Sequence, residues 1–303
     1  MREPKHPIKE ANTVIALLDV VLGEDRYPLN IEDICLEYSR NKFPDHRIQE
    51  VKGDDLPGFE GALYGSHRDA KSRWLILYNN QIPQPGRINF TLAHEFGHYL
   101  MHRDELNEFE CSQKDMSNFR DDAQRESEAN KFASQLLMPP NDFRKQIKRQ
   151  KISFDLIEHC TERYSVSLTA MLLKFVDITD KRCVLVVSTN GYILWSKSSQ
   201  NALKSGKFIK TVGLSPIPLP QASADISGVT DNGNKIEINH SPGIWWPDEP
   251  VKEMTIFSRN YDFVITLLEL PDDPPGNRQT GFEDPEPFDS FDNFENYNER
   301  MNS

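Results

Sequence analysis

The segment FTLAHEFGHYLMH, residues 90–102, constrains the fold more than any other stretch of this chain. Apolar residues surround three histidines spaced by four, and on a helix such positions are rotated by about 40° and separated by about 6 Å along the axis. His94 and His98 then project from one side with converging imidazoles, so that one cation can be gripped by both. Glu95 lies on the adjoining edge, too far round to compete as a ligand. Imidazole nitrogen suits zinc, and a hydrolytic zinc site takes three protein ligands and leaves its fourth position to water. Zinc lowers the pKa of such a water to roughly 7, and a carboxylate placed like Glu95 can take the proton as general base. Ligand softness leaves Mn and Fe compatible with the same donors. Gly97 is expected to let another backbone pass closely.

The third ligand is sought in a second helix some 30 residues on. There DDAQRESEANKFASQLLMPP places Ala129, Phe132, Ala133, Leu136 and Leu137 on one face, with Pro139 and Pro140 as its stop. Glu126 and Glu128 both qualify. Glu126 lies three before Ala129 and seven before Ala133, near the buried face, and is preferred; Glu128 sits nearer the opposite edge, beside Phe132. Asn130, one turn after Glu126, is placed to hold a ligand in orientation. His102 continues the histidine row as an accessory ligand or transition-state donor, or as a structural histidine bonded to backbone, which is the preferred reading. Tyr99 reads as a half-buried packing residue. The group that would stabilise a developing oxyanion stays open among His102, Tyr64 and Tyr164.

With 303 residues the chain is long enough for two domains. No run approaches the roughly 18 apolar residues needed to span a bilayer, and MREPKHPIKE lacks the apolar core of a signal peptide, so a cytoplasmic protein with no membrane partner is expected. The four cysteines are scattered and read as free thiols. A net charge of −12 argues against tight nonspecific binding to nucleic acid, which needs clustered Lys and Arg.

The fold class expected is α+β: a helical core with a small β-sheet, a mostly β C-terminal domain, and an acidic disordered tail. Residues 1–180 form the first domain. It opens with a helix whose apolar positions are Ile8, Ala11, Ile15, Leu18 and Leu22, packed on the next helix, which Asn30 caps. Three short strands follow in HRIQEVKGDDL, GFEGALYGSHRD and SRWLILYNN. Beyond the two ligand helices, PNDFRKQIKRQ reads as another helix. Residues 153–177 then read as a helix-turn-helix-like unit with Ser167 capping its second helix. That second helix offers only Lys174 as a cation, so the unit is read as a packing element and direct DNA binding is not expected. Residues 181–270 are β-rich, with Asn190–Gly191 as a hairpin turn, and Trp245 and Trp246 read as a plug of this domain. The tail, 271–303, carries nine acidic residues against two arginines, and Phe288, Phe291, Phe294 and Tyr297 recur in it at intervals of three; such a composition predicts disorder.

RINFTLAHEFGHYLMH followed by ESEANKFASQLLMPP resembles the ImmA/IrrE metallopeptidases, in the order and spacing of both motifs. Arg87, Phe90, Thr91, Ala93, His94, Glu95, Gly97, His98, Glu126, Asn130, Ala133, Leu137, Met138 and Pro139 carry the likeness, which extends over roughly residues 8–178. The resemblance implies a zincin-like fold and a zinc endopeptidase with Glu126 as third ligand and Glu95 as base. It also implies a sheet edge strand that holds an extended peptide, and a helix-turn-helix transcriptional repressor as protein substrate, so that cleavage regulates gene expression. The β-rich domain departs from the minimal family pattern and is read as an accessory or sensor module. The competing reading is a non-catalytic, metal-containing regulatory protein acting through protein–protein interaction; the intact Glu95 speaks against it.

Overall fold

The computed structural model describes residues 5–68, 71–104, 119–211, 215–227, 234–257 and 263–272. The tail and its aromatic run lie outside these residues, apart from Pro271 and Asp272, as does Cys111. The chain divides into two compact units, Met1–Gln146 with Phe154–Ala170, and Ile147–Ser153 with Met171 onward.

The first unit begins with α1 (Pro7–Leu22) and α2 (Ile31–Lys42). The buried face of α1 is Pro7, Ala11, Val14 and Leu18, so Ile15 is only half-buried and Leu22 is exposed. The stripe turns this way because α1 lies chiefly against a later helix, α4 (Phe119–Leu137), rather than against α2. Gln135 of α4 donates to Asn12 of α1 at 2.8 Å. Asn30 caps α2 through the Asp33 amide, as its side-chain oxygen leads one to expect.

Three strands follow: β1 (Ile48–Asp54), β2 (Gly61–Arg68) and β3 (Lys71–Asn79). They form a sheet of order β1-β3-β2, with β1 parallel and β2 antiparallel to the central β3. Ser72, Trp74 and Ile76 alternate inward, giving β3 the period-2 burial of a one-sided sheet. The buried side meets α3 (Pro85–His102), where Phe96 is the centre of an aromatic cluster. Its ring lies edge-on to Tyr38 and Phe132, each at 5.8 Å, and stacks on Tyr99 at 6.2 Å. Tyr99 is fully buried, not half-buried, and its hydroxyl donates to the His46 carbonyl at 2.8 Å.

After α4 come α5 (Pro140–Ile147), α6 (Phe154–Tyr164) and α7 (Leu168–Ile178), within which the division between units falls. Ser167 accepts from the Ala170 amide at 3.2 Å and so caps α7. The turn before it is seated on the start of α3: a Cβ added at Gly86 would lie 2.5 Å from the Val166 backbone, and Asn89 donates to the Ser165 carbonyl at 3.1 Å. Lys174 is buried, so the second helix of this unit presents no cation of its own to a nucleic acid.

Asp142 ties α5 to α6. It accepts from Arg163 Nε and Nη2, both at 3.0 Å, and from the Tyr164 hydroxyl at 2.7 Å. Burial opposes ionisation of Asp142, but the bonds from Arg163 and Tyr164 outweigh it and hold the carboxyl below its ordinary value. A carboxyl depressed on folding stabilises above its unfolded pKa and loses that contribution as pH falls through the folded value. Asp142→Asn is therefore expected to cost about 1–3 kcal/mol at pH 7, a difference from wild type that closes under acid conditions. Urea melts of both proteins across pH check it, and a gap independent of pH would refute the assignment.

The second unit is a six-stranded antiparallel sheet of order β6-β5-β4-β9-β8-β7. Its strands are β4 (Cys183–Thr189), β5 (Tyr192–Ser198), β6 (Ile217–Pro218), β7 (Lys235–His240), β8 (Val251–Phe257) and β9 (Val264–Glu269), with short helices α8 (Gln200–Lys204) and α9 (Ala224–Ser227). Asn190 and Gly191 both have positive φ, 50° and 78°, as a tight turn matching the twist of β4 and β5 requires. Val184, Val186, Val251 and Leu268 form one core, against which Trp245 and Trp246 pack. Among these apolar residues sits Glu253, 0% exposed. Five donors converge on its two oxygens: Ser223 Oγ, the Ala224 amide, His240 Nε2, Trp245 Nε1 and Thr255 Oγ1, all within 2.8–3.0 Å.

Candidate metal centre

The helix that carries the histidines begins at Pro85, whose fixed φ suits a first turn. It runs through the middle of its unit, so from Thr91 to His102 its side chains are buried except that of His94, which is half-buried. Gly97 gives α4 a close approach: a Cβ there would meet the Phe132 ring at 3.0 Å. The neighbour is thus a side chain and not the backbone that the sequence led one to expect. This contact sets α4 beside α3 with Glu126 opposite the histidines.

His94 Nε2 and His98 Nε2 lie 3.0 Å apart, and each is 3.1 Å from a Glu126 carboxylate oxygen. Donor atoms of these three residues all fall within 4.8 Å of one another. His98 is fully enclosed, whereas the Glu126 side chain is 41% exposed, so the cluster opens to solvent on its Glu126 side. Asn130 Oδ1 is 2.9 Å from His94 Nδ1. His102 Nδ1 is 3.0 Å from His98 Nδ1, and His102 Nε2 is 3.0 Å from Glu128 Oε2. The two candidate carboxylates of α4 therefore go to different histidines: Glu126 meets His94 and His98, and Glu128 meets His102.

These partners fix where the protons sit. The Asn130 side-chain oxygen can only accept, so His94 Nδ1 carries the hydrogen and its Nε2 presents a lone pair. Burial pushes the His98 imidazole down to about 4, which favours its neutral, ligating form. If both imidazoles present Nε2 lone pairs to this acceptor-only carboxylate within about 3 Å, the three groups repel unless a cation lies between them. Two imidazoles and one carboxylate are a donor set that suits a divalent transition ion.

Glu95 is buried one position along from His94. Gly61, at the start of β2, is its neighbour from the sheet: a Cβ there would lie 3.3 Å from Glu95 Oε1 and 2.3 Å from the Thr91 methyl. The carboxylate thus lies between the histidine helix and an edge strand of the sheet. Arg87 bonds Glu60, the residue before β2, which ties strand and helix together. Of the three oxyanion candidates, Tyr164 is buried on Asp142, His102 lies between His98 and Glu128, and Tyr64 is exposed on β2. The link between His102 and Glu128 escaped the sequence reading, although the fourfold spacing of the histidines and the offset of two between the glutamates foreshadow it.

No curated protein matches the chain in sequence. In fold it is similar to a solved Mycobacterium tuberculosis transcriptional regulator, with a TM-score of 0.52 at 12% identity over 86% of this chain and 76% of that one. The model of the Peptidase_M78 family, described as the IrrE N-terminal-like domain, matches residues 55–175, a span that starts after β1 and contains both helices of the centre. Over those residues the chain is similar to the IrrE N-terminal-like domain of that peptidase family.

Proposed function

We propose that this chain is a zinc-dependent endopeptidase, with His94, His98 and Glu126 holding the ion and Glu95 acting as general base. The observation that carries the reading is the convergence of one possible ligand atom from each of His94, His98 and Glu126 beside a buried glutamate at a sheet edge. A bound zinc ion supplies a Lewis acid that polarises the scissile carbonyl and acidifies water. Glu95 takes the proton from the attacking water and delivers it to the amide nitrogen as the C–N bond breaks. Asn130 orients His94. The outer edge of β2, which among the described residues pairs only with β3, offers main-chain groups to an extended peptide, which would lie across the open Glu126 side.

An extended peptide must come from a flexible or locally unfolded segment of its protein. A helix-turn-helix transcriptional repressor is the substrate class that the family resemblance supports, and its cleavage would relieve repression. Among the described residues no helix is long and apolar enough to cross a membrane.

Metal content by elemental mass spectrometry, on protein purified without added metal, tests the centre. Wild type, Glu95→Gln and Glu128→Gln are expected to hold about one zinc per chain, and His94→Ala and Glu126→Gln to lose it. Retention of metal by His94→Ala would refute the centre. Stoichiometric zinc with no cleavage of a candidate repressor, and an unchanged cellular effect in Glu95→Gln, would favour the non-catalytic regulator.

A further inference from the structure

We propose that His102 and Glu128 are positioning residues that fix the ring state of His98 and thereby set the affinity of the centre for its cation. The proposal rests on the reading of His94, His98 and Glu126 as ligands. Its basis is a chain of contacts leading away from the cluster into the protein. Glu128 ends this chain as a carboxylate, which offers only acceptor oxygens. It therefore accepts from His102 Nε2, 3.0 Å away, while Gln124 Nε2 donates to its other oxygen at 2.8 Å. In the neutral His102 ring, a hydrogen on Nε2 leaves a lone pair on Nδ1. That lone pair faces His98 Nδ1 at 3.0 Å, which must then carry the hydrogen. His98 Nε2 is left with its lone pair directed at Glu126 and His94.

The reverse arrangement would spoil the ligand. Were His102 to donate from Nδ1, His98 would take its hydrogen on Nε2 and aim an N–H at the cation. Glu128 prevents this, because its acceptor oxygen selects the Nε2–H form of His102. The two ligating histidines are therefore backed differently: His94 by a neutral amide oxygen, and His98 by a second imidazole that ends on a carboxylate. An anion at the end of such a chain makes the distal nitrogen a stronger donor, and partners of this kind alter metal affinity by about 10–100-fold. His102 is neither a third imidazole ligand nor a histidine bonded to backbone, and Glu128 acts without touching the cation.

The test is competition of full-length protein against a chromogenic chelator for Zn²⁺, with the visible spectrum of the Co²⁺-substituted protein as second readout. His102→Ala is expected to weaken zinc binding about 10–100-fold and to shift the Co²⁺ bands. His102→Asn, whose amide oxygen can accept the His98 Nδ1 hydrogen, is expected to recover most of both. Glu128→Gln, on a side chain 25% exposed, keeps a carbonyl acceptor but loses the charge. It is expected to retain stoichiometric zinc with a dissociation constant raised about 3–10-fold, at the lower end of such effects. Wild-type affinity in Glu128→Gln, or equal losses in His102→Ala and His102→Asn, would overturn the proposal. Failure of the underlying reading looks different: wild type would bind no zinc, or His94→Ala would bind it as wild type does.

Discussion

Glu95→Gln is expected to lower peptide hydrolysis by about 10²–10⁴-fold, the usual contribution of a positioned acid–base group, while the centre keeps its zinc. The substitution preserves volume, so the packing of the side chain between α3 and Gly61 survives, and the three donor atoms of His94, His98 and Glu126 are untouched. What disappears is the ability to accept a proton. The loss should appear in kcat and kcat/KM together, because proton transfer occurs only as the reaction proceeds and the amide still fills the same space for the bound peptide. Measurement of both constants on a cleaved repressor fragment, together with metal content, checks this. Undiminished turnover in a zinc-loaded Glu95→Gln protein would remove Glu95 from the reaction.

The largest expected effect on stability lies in the other unit. Glu253→Ala removes an acceptor on which five donors converge, and four of the five are side chains, of which Ser223, His240 and Thr255 are buried. A buried donor left unsatisfied costs about 1–3 kcal/mol, and breaking a buried charged network costs about 3–5 kcal/mol. A loss of about 5 kcal/mol or more is expected, comparable with the whole stability of a modest domain. Glu253→Gln should cost nearly as much. With its oxygen kept toward Ser223, Ala224 and Thr255, its NH₂ must face His240 and Trp245. His240 can offer a lone pair by changing tautomer, but the Trp245 indole has only a hydrogen to give. Denaturant unfolding followed by tryptophan fluorescence, to which Trp195, Trp245 and Trp246 of this unit contribute, measures it. A loss below about 1 kcal/mol, the scale of one ordinary hydrogen bond, would show that the carboxylate is not the hub that its contacts describe.

The two results would be independent. Glu95 is proposed to act in a reaction and sits in the family-matched span, whereas Glu253 lies outside residues 55–175 and packs in the β-rich unit. Loss of the β-rich unit without loss of zinc, in Glu253→Ala, would also reveal whether the metal-binding unit stands by itself.

Much of the centre could be read from the chain because it obeys local geometry. His94, Glu95 and His98 lie within five residues of one helix, and the helical period alone decides that the two imidazoles converge and that the carboxylate does not. The Asn30 and Ser167 caps, the Asn190–Gly191 turn and the α+β order of elements were legible for the same reason: each depends on a few neighbouring residues. The face of α1 was not, because Leu22 and Val14 are both apolar and only contact with α4 decides which is covered.

Glu126 and Glu128 are two positions apart on α4, about 200° in rotation. Which of them meets His94 and His98 depends on how α4 is turned against α3, and hence on contacts such as Phe132 at Gly97. Glu253 shows the same limit more sharply. Strand alternation puts Val251, Glu253 and Thr255 on one face of β8, and a glutamate there reads as a mark of solvent. The Ser223–Ala224 turn and Trp245 close over it instead, supplying hydrogens from residues 8–30 positions away. By itself the sequence determined the helix that presents two imidazoles and a neighbouring carboxylate, since those spacings are properties of one element. Only the tertiary structure decided which glutamate completes the set, how His102 and Glu128 back His98, and that a carboxylate lies at the heart of the β-rich unit, because each needs donors and acceptors brought from separate elements.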